Sequence, residues 1–311
     1  MKLTYSSFFS RTLPAFAYLS ALLFLASCDK DDCDAPPETP TMEKRLVRSW
    51  GEYRFSSNPE EIRKIKSDYQ YTGTGNILRV TDYIEHPIDG DFQLWKTLDF
   101  HYDNEKRLKR IEAYSSPGFN GSLEQELATS LEYKSDTEIE MIEHFFFNLK
   151  SYELDTVKIT LNDQGRTEAW EMRVYTNYNF EDVWLYNGTS TYEFSYDALN
   201  RPVEVKTQYQ SNDPILSRYT FDDKRSLAQG WFSGQAFEDF ANQAILYMNF
   251  EPMGINNVTS IKQTSTQTEN TQIEFEYDAD GYPTERTETK NGTFVSKQYF
   301  EYGFVDVSSK N

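Results

Sequence analysis

The groups in this chain that could do chemistry are two cysteines, three histidines and 50 acidic side chains. Cys28 follows Leu25-Ala26-Ser27, and Cys33 sits in the acidic stretch just behind it. Two thiols so close together, with none elsewhere, build neither a disulfide framework across a domain nor a thiolate zinc site. His86, His101 and His144 lie too far apart for paired metal ligation, and His101 alternates with apolar neighbours, as on the wet face of a strand. The sequence holds no G-x-S-x-G, no H-E-x-x-H and no glycine-rich phosphate loop. Asp278-Ala-Asp280-Gly281 opens like a calcium loop, but Tyr282 stands where another Asp or Asn is needed, so the segment reads as a turn. Carboxylate pairs of the kind that hydrolyse glycosides are not marked out among so many acids. The expectation is therefore a protein that is not an enzyme, with no catalytic residue, no bound metal and no cofactor.

Cys28 has a setting of its own. Lys2 and Arg11 supply positive charge, no acid occurs before Asp29, and Leu13 to Leu25 form an apolar run shorter than the roughly 20 residues of a bilayer span. That order reads as an export signal over residues 1–27, to be set aside in reasoning about the fold. The sequence Leu25-Ala26-Ser27-Cys28 resembles the lipobox of bacterial lipoproteins. The resemblance implies cleavage before Cys28, a diacylglycerol on its thiol and an acyl chain on its amine, so that the membrane is held through Cys28. Several acyl chains give stable attachment where one would be marginal. Asp29, Asp31, Asp32 and Asp34 resemble the surface-export signal of Bacteroidota lipoproteins, which implies an outer-membrane protein facing outward. Pro36, Pro37 and Pro40 among acids and small polar residues predict a disordered tether over residues 28–45. The net charge of −19 argues against nucleic acid as a partner.

With 22 Tyr, 22 Phe and 5 Trp, the remainder is rich in residues that favour pleated, half-buried surfaces. One pattern repeats along it. Its anchors are Tyr71, Tyr102, Tyr133, Leu161, Tyr196, Phe221 and Tyr277. Before each anchor apolar residues alternate with polar ones, as in Leu98, Phe100, Tyr102 and in Ile273, Phe275, Tyr277. That is a strand with one dry face and one wet face. Asp or Asn commonly follows and starts a turn through its side chain. Gly75, Gly165, Asn200 and Gly281 fall at the position where a type I turn closes with a left-handed residue. A second strand then returns with a phase shift, which implies a bulge. Asn120, Asn187, Asn257 and Asn291 sit in Asn-x-Ser/Thr tripeptides that also read as turns.

Segments such as Tyr277-Asp-Ala-Asp-Gly-Tyr-Pro283 and Gly254-Ile-Asn-Asn-Val-Thr-Ser-Ile261 resemble the tyrosine-aspartate (YD) repeats of Rhs-type proteins. More closely they resemble a Bacteroidota lipoprotein family of unknown function that carries such repeats. Leu161-Asn162, Tyr133-Lys134 and Tyr71-Thr72 depart from the pattern. Phe237, Phe240, Ala241, Ala244, Ile245 and Met248 fall at helical spacing, with Ser233 as N-cap and Pro252 and Gly254 beyond. The expected fold is all-β: one domain over residues 46–305 and a tail over 306–311. The domain would be an antiparallel meander of hairpins in a curved sheet or partial barrel, packed on the 234–249 helix. Phe300, Tyr302 and Phe304 should form the closing strand. The expected role is a lipid-anchored, non-catalytic binding protein of the cell envelope, with a glycan or another envelope protein as partner. The alternatives are a structural or lipid-handling factor that cups an apolar ligand, and a glycan hydrolase.

Overall fold

A computed structural model of the chain describes residues 40–54, 61–86, 89–116, 122–147, 150–177, 183–210, 212–227, 256–265 and 267–307. The chain divides into residues 1–40 and 41–311, and all the strands lie in the second unit. The export signal, Cys28, Asn120 and the 234–249 segment lie outside the described residues.

The first eight strands are β1 (Met42–Arg54), β2 (Ile62–Tyr71), β3 (Ile77–Glu85), β4 (Phe92–Tyr102), β5 (Leu108–Ser115), β6 (Glu124–Ser135), β7 (Glu138–Phe147) and β8 (Lys150–Leu161). The rest are β9 (Thr167–Thr176), β10 (Leu185–Tyr196), β11 (Pro202–Tyr209), β12 (Ile215–Phe221), β13 (Val258–Thr264), β14 (Thr268–Tyr277), β15 (Pro283–Lys290) and β16 (Thr293–Asp306). Each strand pairs antiparallel with its sequence neighbour, and β16 pairs with β1 to close the barrel. This overturns the expectation of an open curved sheet or partial barrel on a packed helix: the sheet closes on itself, and no helix occurs among the described residues. The physical reason is the edge. An open meander leaves two rows of unpaired backbone groups, and closure removes both. The seam runs from Met42↔Asp306 to Tyr53↔Ser296 and is capped outside by Trp50 stacked on Tyr299, 5.9 Å between ring centres. Met42–Arg45, placed in the tether by the sequence, belong to β1.

The repeat unit is a hairpin in which the anchor pairs six residues ahead. Tyr102 pairs with Leu108, Leu161 with Thr167, Tyr196 with Pro202 and Tyr277 with Pro283, each at a register shift. In the turn after Tyr102, Asp103 Oδ1 accepts the Glu105 and Arg107 N–H groups, both at 2.9 Å. The left-handed residues are Gly75 (φ 84°), Lys106 (65°), Gly165 (73°), Asn200 (61°) and Gly281 (80°). Asn291-Gly292 makes the two-residue turn between β15 and β16.

The anchor tyrosine also fastens hairpin to hairpin. Tyr71, Tyr102, Tyr133 and Tyr196 hydroxyls donate to the carbonyls of Leu46, Ile77, Leu108 and Thr167, at 2.6, 2.6, 3.0 and 2.5 Å. Each accepting residue opens, or in β1 lies near the opening of, the preceding strand on the same end of the barrel. Tyr302 on β16 occupies the eighth anchor position, where the pattern meets the closure strand, but its buried hydroxyl makes no hydrogen bond among the described residues.

Alternation divides the two surfaces of the wall. Inward lie Leu98, Phe100, Ile111, Leu131, Ile159, Trp170, Phe194, Val205 and Ile273, all buried. Outward, every strand carries charge, much of it paired across the ladder: Arg48–Asp68, Arg79–Asp99, His101–Glu112, Lys158–Glu138, Lys206–Glu193, Arg218–Glu204 and Lys297–Glu285. Exposed pairs of this kind add little stability singly. Their significance is that the outer wall carries charge on all sides.

Two substitutions test the hairpin. A Cβ on Gly281 would meet nothing within 4 Å, so Gly281→Val should cost about 1–2 kcal/mol through backbone strain alone, and Gly281→Asn clearly less. Tyr102→Phe should cost about 1 kcal/mol by leaving the Ile77 carbonyl without its hydroxyl donor. Urea denaturation of the three variants checks both; equal, negligible losses for Val and Asn would refute the turn assignment.

Candidate functional site

The barrel has two unlike ends. At the turn end lie the tight hairpin turns and their anchors, and the inside is packed with apolar and aromatic side chains. Trp170, 2% exposed, packs there on Tyr192 and Phe194 with ring centres 5.3 and 5.5 Å apart. At the opposite, loop end the same inward-facing registers carry polar and charged residues. Following the ladder from β3 to β8, inward positions are taken by Asp82, Lys96, Ser115, Glu143, Glu153 and Asp155. Thr129 and Glu143 face one another on β6 and β7, and the Thr129 hydroxyl donates to Glu143 Oε1 at 3.2 Å. Glu143 pairs directly with Asp155 on β8, and Glu153 follows one inward position on, opposite Phe145.

Three carboxylates thus lie along one stretch of the inner wall. Burial is the first cause that raises Glu143, and the Glu153 charge adds to it, bringing the group to about 7. Asp155 is raised to about 7 by burial and then by Glu153 and Glu143. Burial also raises Glu153, and it carries Asp82 to about 6 against the opposing pull of Ser67 and Lys96. Asp155 is 5% exposed, yet its Oδ1 accepts no hydrogen bond. Glu143, Glu153 and Asp82 keep partial exposure although they point inward. The surface they touch is the inside of the barrel, so this end of the lumen is a wet, acid-rich cup above a dry floor.

Lys96 is the cation of this arc. It opposes Asp82 across the ladder and lies 3.7 Å from Glu126. Across the barrel, Arg286 pairs with Glu288 at 2.9 Å, both largely buried. Tyr53 and Tyr69, raised by burial, complete that side.

The residues singled out from sequence are scattered by comparison. The three histidines lie apart: His86, in the β3–β4 connection, bonds Asp89 at 3.0 Å, while on the outer face His101 bonds Glu112 at 3.0 Å and His144 stacks near Phe146. Asp278 Oδ1 takes the Asp280 and Tyr282 N–H groups, while Lys44 reaches Asp278 at 2.7 Å and Asp280 at 3.2 Å. Those acids are therefore occupied as turn and ion-pair partners. Gly75, Gly165, Asn200 and Gly281 all sit in turns at the turn end, away from the acidic cup. Asn257 ties the two sides of the long β12–β13 connection: its side-chain amide donates to Asp222 Oδ2 at 3.2 Å and to the Arg225 carbonyl at 2.8 Å, and Tyr277 also bonds Asp222. A cleft of about 480 Å³ lies beside it, lined by Lys44, Arg45, Arg225, Tyr282 and Tyr302. Its cations are committed: Lys44 to Asp278, Arg45 to Glu43, Arg225 to Tyr282.

Sequence reasoning missed Glu143, Glu153 and Asp155. The signal was present as acids on the inward register: Glu143 stands where adjacent hairpins carry Ala113 and Met172, and Asp155 where β6 carries Leu127. In Glu153, Asp155, Val157, Ile159, Leu161 the inward register turns acidic without a break in the alternation.

No family model and no curated protein matches the chain. Among solved structures, it is similar to a porin-like protein from Bacteroides uniformis at 13% identity, covering 83% of this chain and 96% of that one, TM-score 0.39. A porin-like protein from Bacteroides vulgatus gives 12% identity, 84% and 99% coverage and a TM-score of 0.40. A protein with unknown function from Bacteroides fragilis gives 13% identity over 40% of this chain and 89% of that one, TM-score 0.32.

The raised carboxylates set a pH dependence. An acid whose pKa is higher folded than unfolded takes up protons on folding, so its burial costs nothing below the ordinary carboxylate range and costs most above the folded pKa. Stability should fall as pH rises from 5 to 8. Asp155→Asn should be more stable than wild type by about 1–3 kcal/mol at pH 8 and nearly equal at pH 5. Urea titrations at the two pH values check this; a difference that does not change with pH would contradict it.

Proposed function

We propose that the chain is a lipid-anchored, non-catalytic binding protein of the bacterial outer membrane, held through Cys28 and facing outward, whose ligand enters the polar end of the barrel. The observation that carries this reading is the inversion of the wall: charge on all sixteen strands outside, buried unpaired acid inside. A water-filled channel through lipid needs the reverse, an apolar outer band about 25 Å tall around a polar lumen. A wall of this kind stands in water, with its specific chemistry within.

The anchor reading rests on the order of charge, apolar run and Leu25-Ala26-Ser27-Cys28. The repeat of Tyr and Asp around tight turns supports membership of the Bacteroidota lipoprotein family that carries such repeats. A glycan or an envelope protein remains the class of partner that its compartment offers, and the acidic charge disfavours nucleic acid. A lipid-handling role receives less support, because the apolar half of the lumen is filled by its own side chains.

The anchor is tested by replacing Cys28. Cys28→Ala should shift the protein from the outer-membrane fraction to the soluble fraction after export, and should abolish labelling by an alkyne-tagged palmitate. Protease added to whole cells should cut the wild-type protein. Retention of Cys28→Ala in the membrane fraction would sink the lipid-anchor reading.

A further inference from the structure

We propose that the acidic side of the lumen, between β6 and β9, binds an organic cation, with an alkylammonium group seated at Glu143 and Asp155 and with Glu153 one inward position beyond. This rests on the reading that the lumen binds a ligand, and it names that ligand's chemistry.

Geometry gives the first argument. Glu143 and Asp155 are directly opposed on neighbouring strands, and Glu153 is the next inward residue on β8. The second is an acceptor without a donor. Asp155 is 5% exposed and aimed inward by the same register that buries Val157, yet its Oδ1 accepts nothing. A buried acceptor left in that condition is costly, and a bound donor would recover the loss. Charge supplies the third. From β6 the groups facing the cluster are Glu126 and Thr129; from β7, Glu143; from β8, Glu153 and Asp155; from β9, Met172, Val174 and Thr176. The nearest cation along the arc, Lys96 on β4, is already placed between Asp82 and Glu126. A ligand that carries its own positive charge completes the site; an anion would be repelled by it.

The type of cation follows from the spread of the acids. Among the described residues, no three Asp, Glu, His or Cys side chains converge as a metal-ligand group. An ammonium differs from a metal ion in donating along three separate directions, so acceptors on two strands can each take one hydrogen. Phe145, opposite Glu153, and Tyr152, next to it, give the attached hydrocarbon an aromatic wall and a cation–π contact. Because Glu143 and Asp155 hold protons into the neutral range, a cation must compete with those protons. Affinity should therefore rise with pH through about 7 and binding should release protons.

Titration calorimetry on the detergent-solubilised full-length protein, with 1,4-diaminobutane as probe, tests this. Binding is expected at pH 8, weakened by at least about tenfold at pH 5.5. Heat measured in two buffers of different ionisation enthalpy should report proton release. Glu143→Gln combined with Asp155→Asn should abolish binding. Glu132→Gln with Glu140→Gln, on the outer wall nearby, should leave it unchanged. Calcium chloride and a mixed neutral oligosaccharide serve as comparison probes, and a cooperative thermal melt establishes that each variant is folded. No diamine binding by folded wild type at pH 8 would overturn the proposal, as would undiminished binding by the lumen variant or calcium binding at the same carboxylates. A neutral oligosaccharide that binds, and loses binding in the lumen variant while the diamine does not bind, would overturn the cation assignment yet leave the lumen as the ligand site. Binding by neither probe would remove both.

Discussion

The pairing of β1 with β16 is the constraint on which the rest depends. Without it, the meander has a dry face and a wet face but no inside. With it, each strand's alternation becomes a statement about lumen and exterior. It also brings chain segments more than two hundred residues apart into one ladder, as Met42 beside Asp306 shows. Long-range pairings of this kind repay their loop-closure cost only when they form, so the local devices that prepare the closing strands matter. The anchor tyrosines are such devices. A hydroxyl that reaches the carbonyl opening the previous strand fixes the stagger between hairpins, and repeated around the ring that stagger brings β16 to β1 in register. Where the hydroxyl is missing, at Leu161 and Phe221, neighbours carry the joint: Leu161 N–H bonds the Thr137 carbonyl, and Asp222 joins Asn257 and Tyr277.

Inside this closed wall the two ends play opposed energetic parts. The turn end buries aromatic and branched side chains and supplies the favourable burial term. The loop end spends part of it. Holding Glu143 and Asp155 near neutrality of charge means that at pH 8 the fold keeps ionised carboxylates out of bulk water, without an ion-pair partner beside them. Apolar residues at those registers, as at Ala113, Met172 and Leu127 in adjacent hairpins, would be the more stable choice. Polar groups retained against stability mark where a protein does something other than fold.

The hairpins were legible because they are local. Tyr-Asp before a tight turn, Gly or Asn four residues past the anchor, and period-two alternation are all contained within a dozen residues. Lys106 shows the limit even there: it takes φ 65° in a turn set by Asp103, with no glycine to announce it. The closing strand was legible at Phe300, Tyr302 and Phe304, but its partner was not, because nothing in the 42–54 stretch names it. The acidic cup was hidden for a related reason. Glu143, Glu153 and Asp155 stand among 50 acids, and only the register across β7 and β8 separates them from the charges that face water.

The same register decides how such a barrel can relate to a membrane. Arg79, Asp99, Arg110, Glu132, Glu140, Lys158, Glu171, Glu193, Arg218, Lys262, Glu274 and Glu301 ring the outer wall. Against lipid, a lysine or arginine at mid-depth costs about 2–4 kcal/mol, and acids somewhat less. Those of the twelve that came to lie at that depth would weigh heavily against a typical domain stability of about 5–15 kcal/mol. Ion pairing across the ladder offsets only a part, since each pair must still be desolvated. The outer wall therefore lacks the continuous apolar band by which a barrel meets lipid. In the function proposed above, such a barrel is held at the membrane by a separate attachment. The sequence before β1 supplies the elements for one: an apolar run, a cysteine, and a proline-rich acidic stretch that leads to the first strand.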